Sequence, residues 1–143
     1  MGQASSNVPG LYLLASRDIM ATLPNYPELY LAVSFYEIYG VKLLDLLNEK
    51  KEVKCLEDDK KKINICGLTE VAVNSVQNIM QLIGDGLEQR SSGATSANDT
   101  SSRSHAVLQM ELKRRHNHEI HARMSFIDLA GSERGADTVD NNK

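Results

Sequence analysis

The chain has 143 residues, 41% of them hydrophobic and 24% charged, with a formal net charge of −3. That composition belongs to a folded domain, not a disordered chain, and the acidic balance gives no electrostatic footprint for nucleic acid. Cys55 and Cys66 form neither a disulfide framework nor a metal-ligand spacing, no apolar run reaches membrane-spanning length, and Met1–Ser6 is no signal peptide, so the expected setting is the reducing cytoplasm.

Residues 1–7 are small and polar and read as loop. Pro9 supplies a helix start, and Leu11, Leu14, Ala15 and Ile19 follow at the spacing of one helical face. Pro24 and Pro27 end that helix. Leu29 to Tyr39 is β-branched, aromatic or aliphatic on both faces, the pattern of a strand covered on both sides. Gly40 breaks it, and Val41 to Asn48 reads as a short amphipathic turn of helix burying Leu43, Leu44 and Leu47.

Glu52–Leu56 and Lys62–Val73 are expected as two strands joined through Glu57-Asp58-Asp59-Lys60-Lys61. Such a charge run reads either as a solvated hairpin tip or as a basic finger, Lys60, Lys61 and Lys62, offered to an acidic protein surface. Asn74 and Gln77 resemble a helix-capping pair, followed by an apolar face of Val76, Ile79, Met80 and Ile83 that Gly84 and Gly86 close. Residues 91–101 form a polar loop with almost nothing to bury. A strand follows with Ala106, Leu108, Met110 and Leu112 inward and Gln109, Glu111 and Lys113 outward. The next runs from Ile120 to Ile127, with Ile120, Ala122, Met124 and Phe126 on one face.

Two short stretches carry the chemistry. Asp128 leaves the last strand at its carboxyl end, where open α/β sheets bind ligands, and Gly131 and Glu133 follow. An acid there can hold a hydrated Mg²⁺, and a glycine lets a backbone N–H approach a terminal phosphate. The same residues also fit an ordinary strand-to-turn exit. The partner stretch is Asn98-Asp99-Thr100-Ser101-Ser102-Arg103-Ser104-His105, whose hydroxyls, amide and guanidinium can bond phosphate, Mg²⁺ and water. Taken alone it fits a serine-rich loop ordered by its own turns. Together the two have the logic of a nucleotide switch, in which both loops respond to a γ-phosphate. His116, His118 and His121 read as exposed imidazoles of a hairpin sooner than as a metal site. Ser104-His105 lacks the strand–elbow context of a nucleophile and its base.

Asn98-x-x-Ser101-Ser102-Arg103-Ser104-His105 and Asp128-Leu129-Ala130-Gly131-Ser132-Glu133 resemble the switch I and switch II motifs of the kinesin motor domain. Pro9-Gly10-Leu11-Tyr12, Ser34-Phe35-Tyr36-Glu37-Ile38-Tyr39, Leu44-Asp45-Leu46-Leu47 and Gly67-Leu68-Thr69-Glu70 are similar to the same family, so the resemblance spans the chain. Leu56-Glu57-Asp58 and the Arg134–Thr138 tail look most like the internal-motor, microtubule-depolymerising kinesins. The implied fold is α/β, the central part of that domain, with a mixed twisted sheet and helices on both faces. Residues 1–143 would run from just after the phosphate loop to just after switch II, with no second domain.

By position, the resemblance puts Asn98 and Ser101 at the γ-phosphate and the attacking water. Ser102 would reach Mg²⁺, Asp128 would hold the same ion through water, and Gly131 would offer its N–H to the γ-phosphate. Arg103 and Glu133 would form the ion pair that closes the site. Lys60, Lys61 and Lys62 would fall in a hairpin facing tubulin. The implied cofactors are ATP and Mg²⁺, and the implied partner is the microtubule in the cytoplasmic cytoskeleton, with no nucleic acid, no membrane, and any homodimer formed through segments outside the chain. Catalysis also calls for the phosphate loop Gly-x-x-x-x-Gly-Lys-Ser/Thr, yet none of the nine glycines precedes a lysine. The chain is therefore expected to be a motor-domain piece that is inactive alone. The alternative is a degenerate, non-catalytic kinesin-like protein that binds tubulin or another partner.

Overall fold

The structure, a computed structural model, describes residues 10–92 and 104–129. Its elements are α1 (Gly10–Thr22), a 3₁₀ turn (Leu23–Asn25), β1 (Leu29–Tyr39), β2 (Lys42–Asp45), β3 (Lys51–Glu57), β4 (Ile63–Cys66), β5 (Val71–Val73), α2 (Val76–Ser92), β6 (Ser104–Arg114) and β7 (Ile120–Asp128). The strands form one sheet in the order β4-β3-β2-β1-β6-β7. β1 pairs with β6 along its whole length, and its other edge is shared by β2 and β5. The class is α/β, as expected. Among the described residues every strand pairing is antiparallel, and both helices contribute to one apolar cluster on one face of the sheet.

β1 is central because its sequence tolerates burial on both faces. Leu31, Val33 and Phe35 enter the cluster with Ala106, Leu108 and Met110 of β6, while Ala32, Ser34 and Tyr36 are buried on the opposite face. Residues of α2, Ile79 and Ile83, close the apolar side. Gly86 explains how closely α2 approaches: a Cβ there would lie 2.2 Å from a Phe35 ring carbon. Only glycine lets this ring sit against the helix, so Gly86 is a packing residue and does not close the helix.

Several local expectations change in the fold. The apolar stripe on α1 is not the one containing Leu11 and Leu14, which are 61% and 58% exposed. The Tyr12 ring meets Phe126 edge-on at 5.3 Å, turning Tyr12, Ser16, Ile19 and Met20 inward. The buried Ser16 hydroxyl is satisfied by donating to the Tyr12 carbonyl at 2.7 Å. Residues 41–48 form no helix: Gly40, with φ +65°, opens the two-residue turn that hairpins favour, and Lys42–Asp45 pairs with β1. Leu46, not Leu43 or Leu44, is the leucine fully buried there. The span 62–73 divides into β4 and β5. Ser75 and not Asn74 caps α2, its hydroxyl accepting from the Asn78 N–H at 3.0 Å, and the helix runs through both glycines. Glu111, expected to face outward, is buried and paired with Arg123 at 2.7 Å.

Candidate functional site

The site is built where β1 and β7 end and β6 begins. In register, Tyr39 lies opposite Ser104 and Ala106 opposite Asp128, so the strand that follows the 93–103 segment and the strand that precedes 130–143 are neighbours at one sheet end. Arg90, in the last turn of α2, reaches into this corner. Its Nη1 donates to Asp128 Oδ2 at 2.9 Å, and its Nη2 donates to the Ser104 carbonyl at 2.9 Å. Arg90 is only 6% exposed, whereas the Asp128 side chain is 60% exposed. A buried guanidinium therefore holds a carboxylate that still opens to solvent. A cation in the last turn of a helix is also favoured by the helix dipole.

A second layer lies behind Arg90. Glu37 is fully buried on β1, and Lys50 Nζ stands 3.3 Å from its Oε1 in an ion pair that lacks hydrogen-bond geometry. The same ammonium donates to the Arg90 carbonyl at 3.4 Å. Lys50 follows Glu49, and both have left-handed φ angles of +61° and +55°, a backbone that costs non-glycine residues about 1 kcal/mol or more each. The turn is held by Asp45, also fully buried. Its carbonyl accepts from the Lys50 N–H at 2.8 Å, and its carboxylate accepts from the N–H groups of Leu47 and Thr69 at 3.0 and 2.9 Å. Burial raises the Tyr12 hydroxyl pKa above its ordinary value; the Asp128 carboxylate adds to that and Arg90 offsets part of it.

Of the residues singled out in sequence, Asp128 sits at this corner. Asn98, Ser101, Ser102, Arg103, Gly131 and Glu133 lie outside the described residues. Sequence reasoning missed Arg90, Lys50 and Glu37. Arg90 follows an apolar helical face and looks like any solvated last-turn cation; only its contacts across 14 and 38 positions give it a role.

The three lysines occupy the β3–β4 tip, all exposed. The tip is ordered by Asp58, whose Oδ1 accepts from the Lys60 and Lys62 N–H groups at 2.9 and 2.8 Å and whose Oδ2 accepts from the Asn64 amide at 3.3 Å. Those bonds, led by the one from Lys62, hold the Asp58 carboxyl below its ordinary pKa. The imidazoles remain an exposed hairpin: His118 Nδ1 lies 3.0 Å from the Tyr30 hydroxyl and His121 3.3 Å from the Arg114 guanidinium. Among the described residues no group of three His, Cys, Asp or Glu could hold a metal ion. The cavity of about 370 Å³ lined by Ile19, Leu23, Leu29 and Leu112 is at the far end of the strands from Asp128, and its lining is mostly apolar.

The kinesin motor domain family model matches residues 1–143. The chain belongs to the kinesin motor domain family. It is 46% identical over 138 residues to mouse (Mus musculus) kinesin-like protein KIF24, an alignment covering 94% of this chain and 10% of that protein. The chain thus spans about a tenth of the length of that relative. Within the kinesin domain, the corner at Asp128 is where the stretches resembling switch I and switch II enter and leave the sheet. No helix among the described residues is long and apolar enough to cross a membrane.

Proposed function

We propose that the chain contributes the switch-bearing core and one tubulin-facing hairpin to a microtubule-binding, ATP-hydrolysing motor. The single observation that carries this reading is Arg90 bridging Ser104 to Asp128, because it joins the exit of one motif to the entry of the other at one sheet end. Hydrolysis in such a site is mainly positioning and electrostatics. In this reading Asn98 and Ser101 orient the γ-phosphate and attacking water, Gly131 offers an N–H, and Arg103 pairs with Glu133 to close the site.

The donor set fits Mg²⁺ bound with nucleotide. Asp128 is an open carboxylate with only Oδ2 engaged by Arg90 among the described residues, and Mg²⁺ usually takes one or two carboxylates plus phosphates and water. Ser102 and Asp128 would hold it; when bound it would neutralise charge on the phosphates. Arg90 fixes the carboxylate without consuming it. The depolymerising activity, suggested by Leu56-Glu57-Asp58 in the exposed hairpin, belongs to the same proposal.

The 143 residues contain no Gly-x-x-x-x-Gly-Lys-Ser/Thr, so the isolated chain should show no saturable Mg·ATP binding at micromolar nucleotide. Saturable binding there would overturn the assignment of the phosphate cradle to residues outside the chain. Sequencing the transcript upstream of Met1 tests the catalytic reading directly. An in-frame phosphate-loop motif supports it, and an in-frame stop with mapped transcript ends favours a non-catalytic tubulin-binding protein.

A further inference from the structure

We propose that Lys50 is a positioning residue that ties the basic hairpin to the switch-bearing corner by holding the last turn of α2 against Glu37. The proposal rests on the reading of the hairpin as a microtubule contact. Lys50 immediately precedes β3, the first leg of that hairpin, and its ammonium lies at once on the buried Glu37 carboxylate and on the Arg90 carbonyl. Asp45 fastens both ends of the same unit. Its carbonyl accepts the Lys50 N–H before β3, and its carboxylate accepts the Thr69 N–H after β4. A displacement of the hairpin base therefore acts on Lys50, whose backbone already occupies a left-handed conformation. From Lys50 the link passes through its hydrogen bond to the Arg90 carbonyl, and the Arg90 guanidinium in turn holds Ser104 and Asp128.

The charge around Lys50 supports a specific role. Glu37 Oε2 has no hydrogen-bond partner among the described residues, so the Lys50 ammonium is the cation that compensates a fully buried carboxylate. An ammonium that must stay beside Glu37 cannot follow the hairpin freely, which makes Lys50 a fixed link and not a solvated side chain.

The test uses the 143-residue chain with polymerised tubulin, reading amide hydrogen exchange at residues 88–91 and 104–106 free and bound. In the natural sequence, binding should slow exchange there by about fivefold, the lower range of typical site-to-site coupling. Lys50→Met should still sediment with microtubules through Lys60–Lys62 yet lose the slowing, and Lys50→Arg should restore it. Glu37→Gln, which keeps the side-chain shape, should also lose it, and it decides the matter if Lys50→Met does not fold. Retained slowing in Lys50→Met or Glu37→Gln overturns the inference, as does a folded Lys50→Arg that fails to restore it. Binding without any slowing in the natural sequence overturns this inference alone. Failure of the natural chain to sediment overturns the microtubule reading and this inference with it.

Discussion

At the tip of the β3–β4 hairpin, charge is held by partners two to six positions away; at the corner that carries Asp128, Arg90 is held by partners 14 to 40 positions away. The tip presents exposed lysines on a turn that Asp58 orders by itself, over strands of which only Val53 is buried. The corner buries Arg90, Glu37 and Asp45 and leaves only the Asp128 carboxylate open. A local turn can present charge without a core. Buried charges need several elements to assemble before any of them is compensated. One region is therefore suited to touching a surface, and the other to holding a geometry.

The contrast predicts unequal consequences. Glu37→Ala should have the largest effect, leaving Lys50 unpaired in a mostly buried position and costing about 3 kcal/mol, the low end for a broken buried pair because Lys50 keeps some solvent. Urea unfolding measures this, and a loss near zero would mean that the corner tolerates the unpaired ammonium. Arg90→Ala should cost about 2 kcal/mol, in the range of charged hydrogen bonds, since Asp128 can turn to water once released. It should also speed amide exchange at residues 104–106.

At the hairpin the same measurements should barely move. Replacing Lys60, Lys61 and Lys62 together by alanine should change stability by less than about 0.5 kcal/mol, as for other solvated surface sites. Sedimentation with microtubules should weaken, and its dependence on salt should flatten. A stability loss as large as that of Arg90→Ala would erase the distinction between the two regions. The smallest effect is acid loosening of the tip. Asp58 is held below its ordinary carboxyl pKa, so its contribution is complete above that value and lost as pH falls through the lowered one. Protection of the Lys60 and Lys62 amides, taken relative to their intrinsic exchange at each pH, should fall as pH drops through the lowered Asp58 value, and Asp58→Asn should show low protection throughout.

Near neighbours and strong periodicity make part of this fold readable from the residues alone. β1 appears with its observed bounds because eleven successive residues suit a strand buried on both faces. Ala106, Leu108, Met110 and Leu112 of β6 face inward as read, although Glu111 on the other face is buried, and the charged tip lies where its composition put it. The tertiary structure decided the rest. Val41–Asn48 has a helix-like apolar pattern, but edge pairing with β1 and the buried Asp45 carboxylate make it a strand and turn. Gly84 and Gly86 resemble a helix end, yet α2 runs through both, and Gly86 instead makes room for the Phe35 ring. Asp128 was legible as a candidate from its place at a strand end. Arg90, Lys50 and Glu37 were not, because a lone charged residue carries no mark of burial until distant strands and a helix close around it and remove the water.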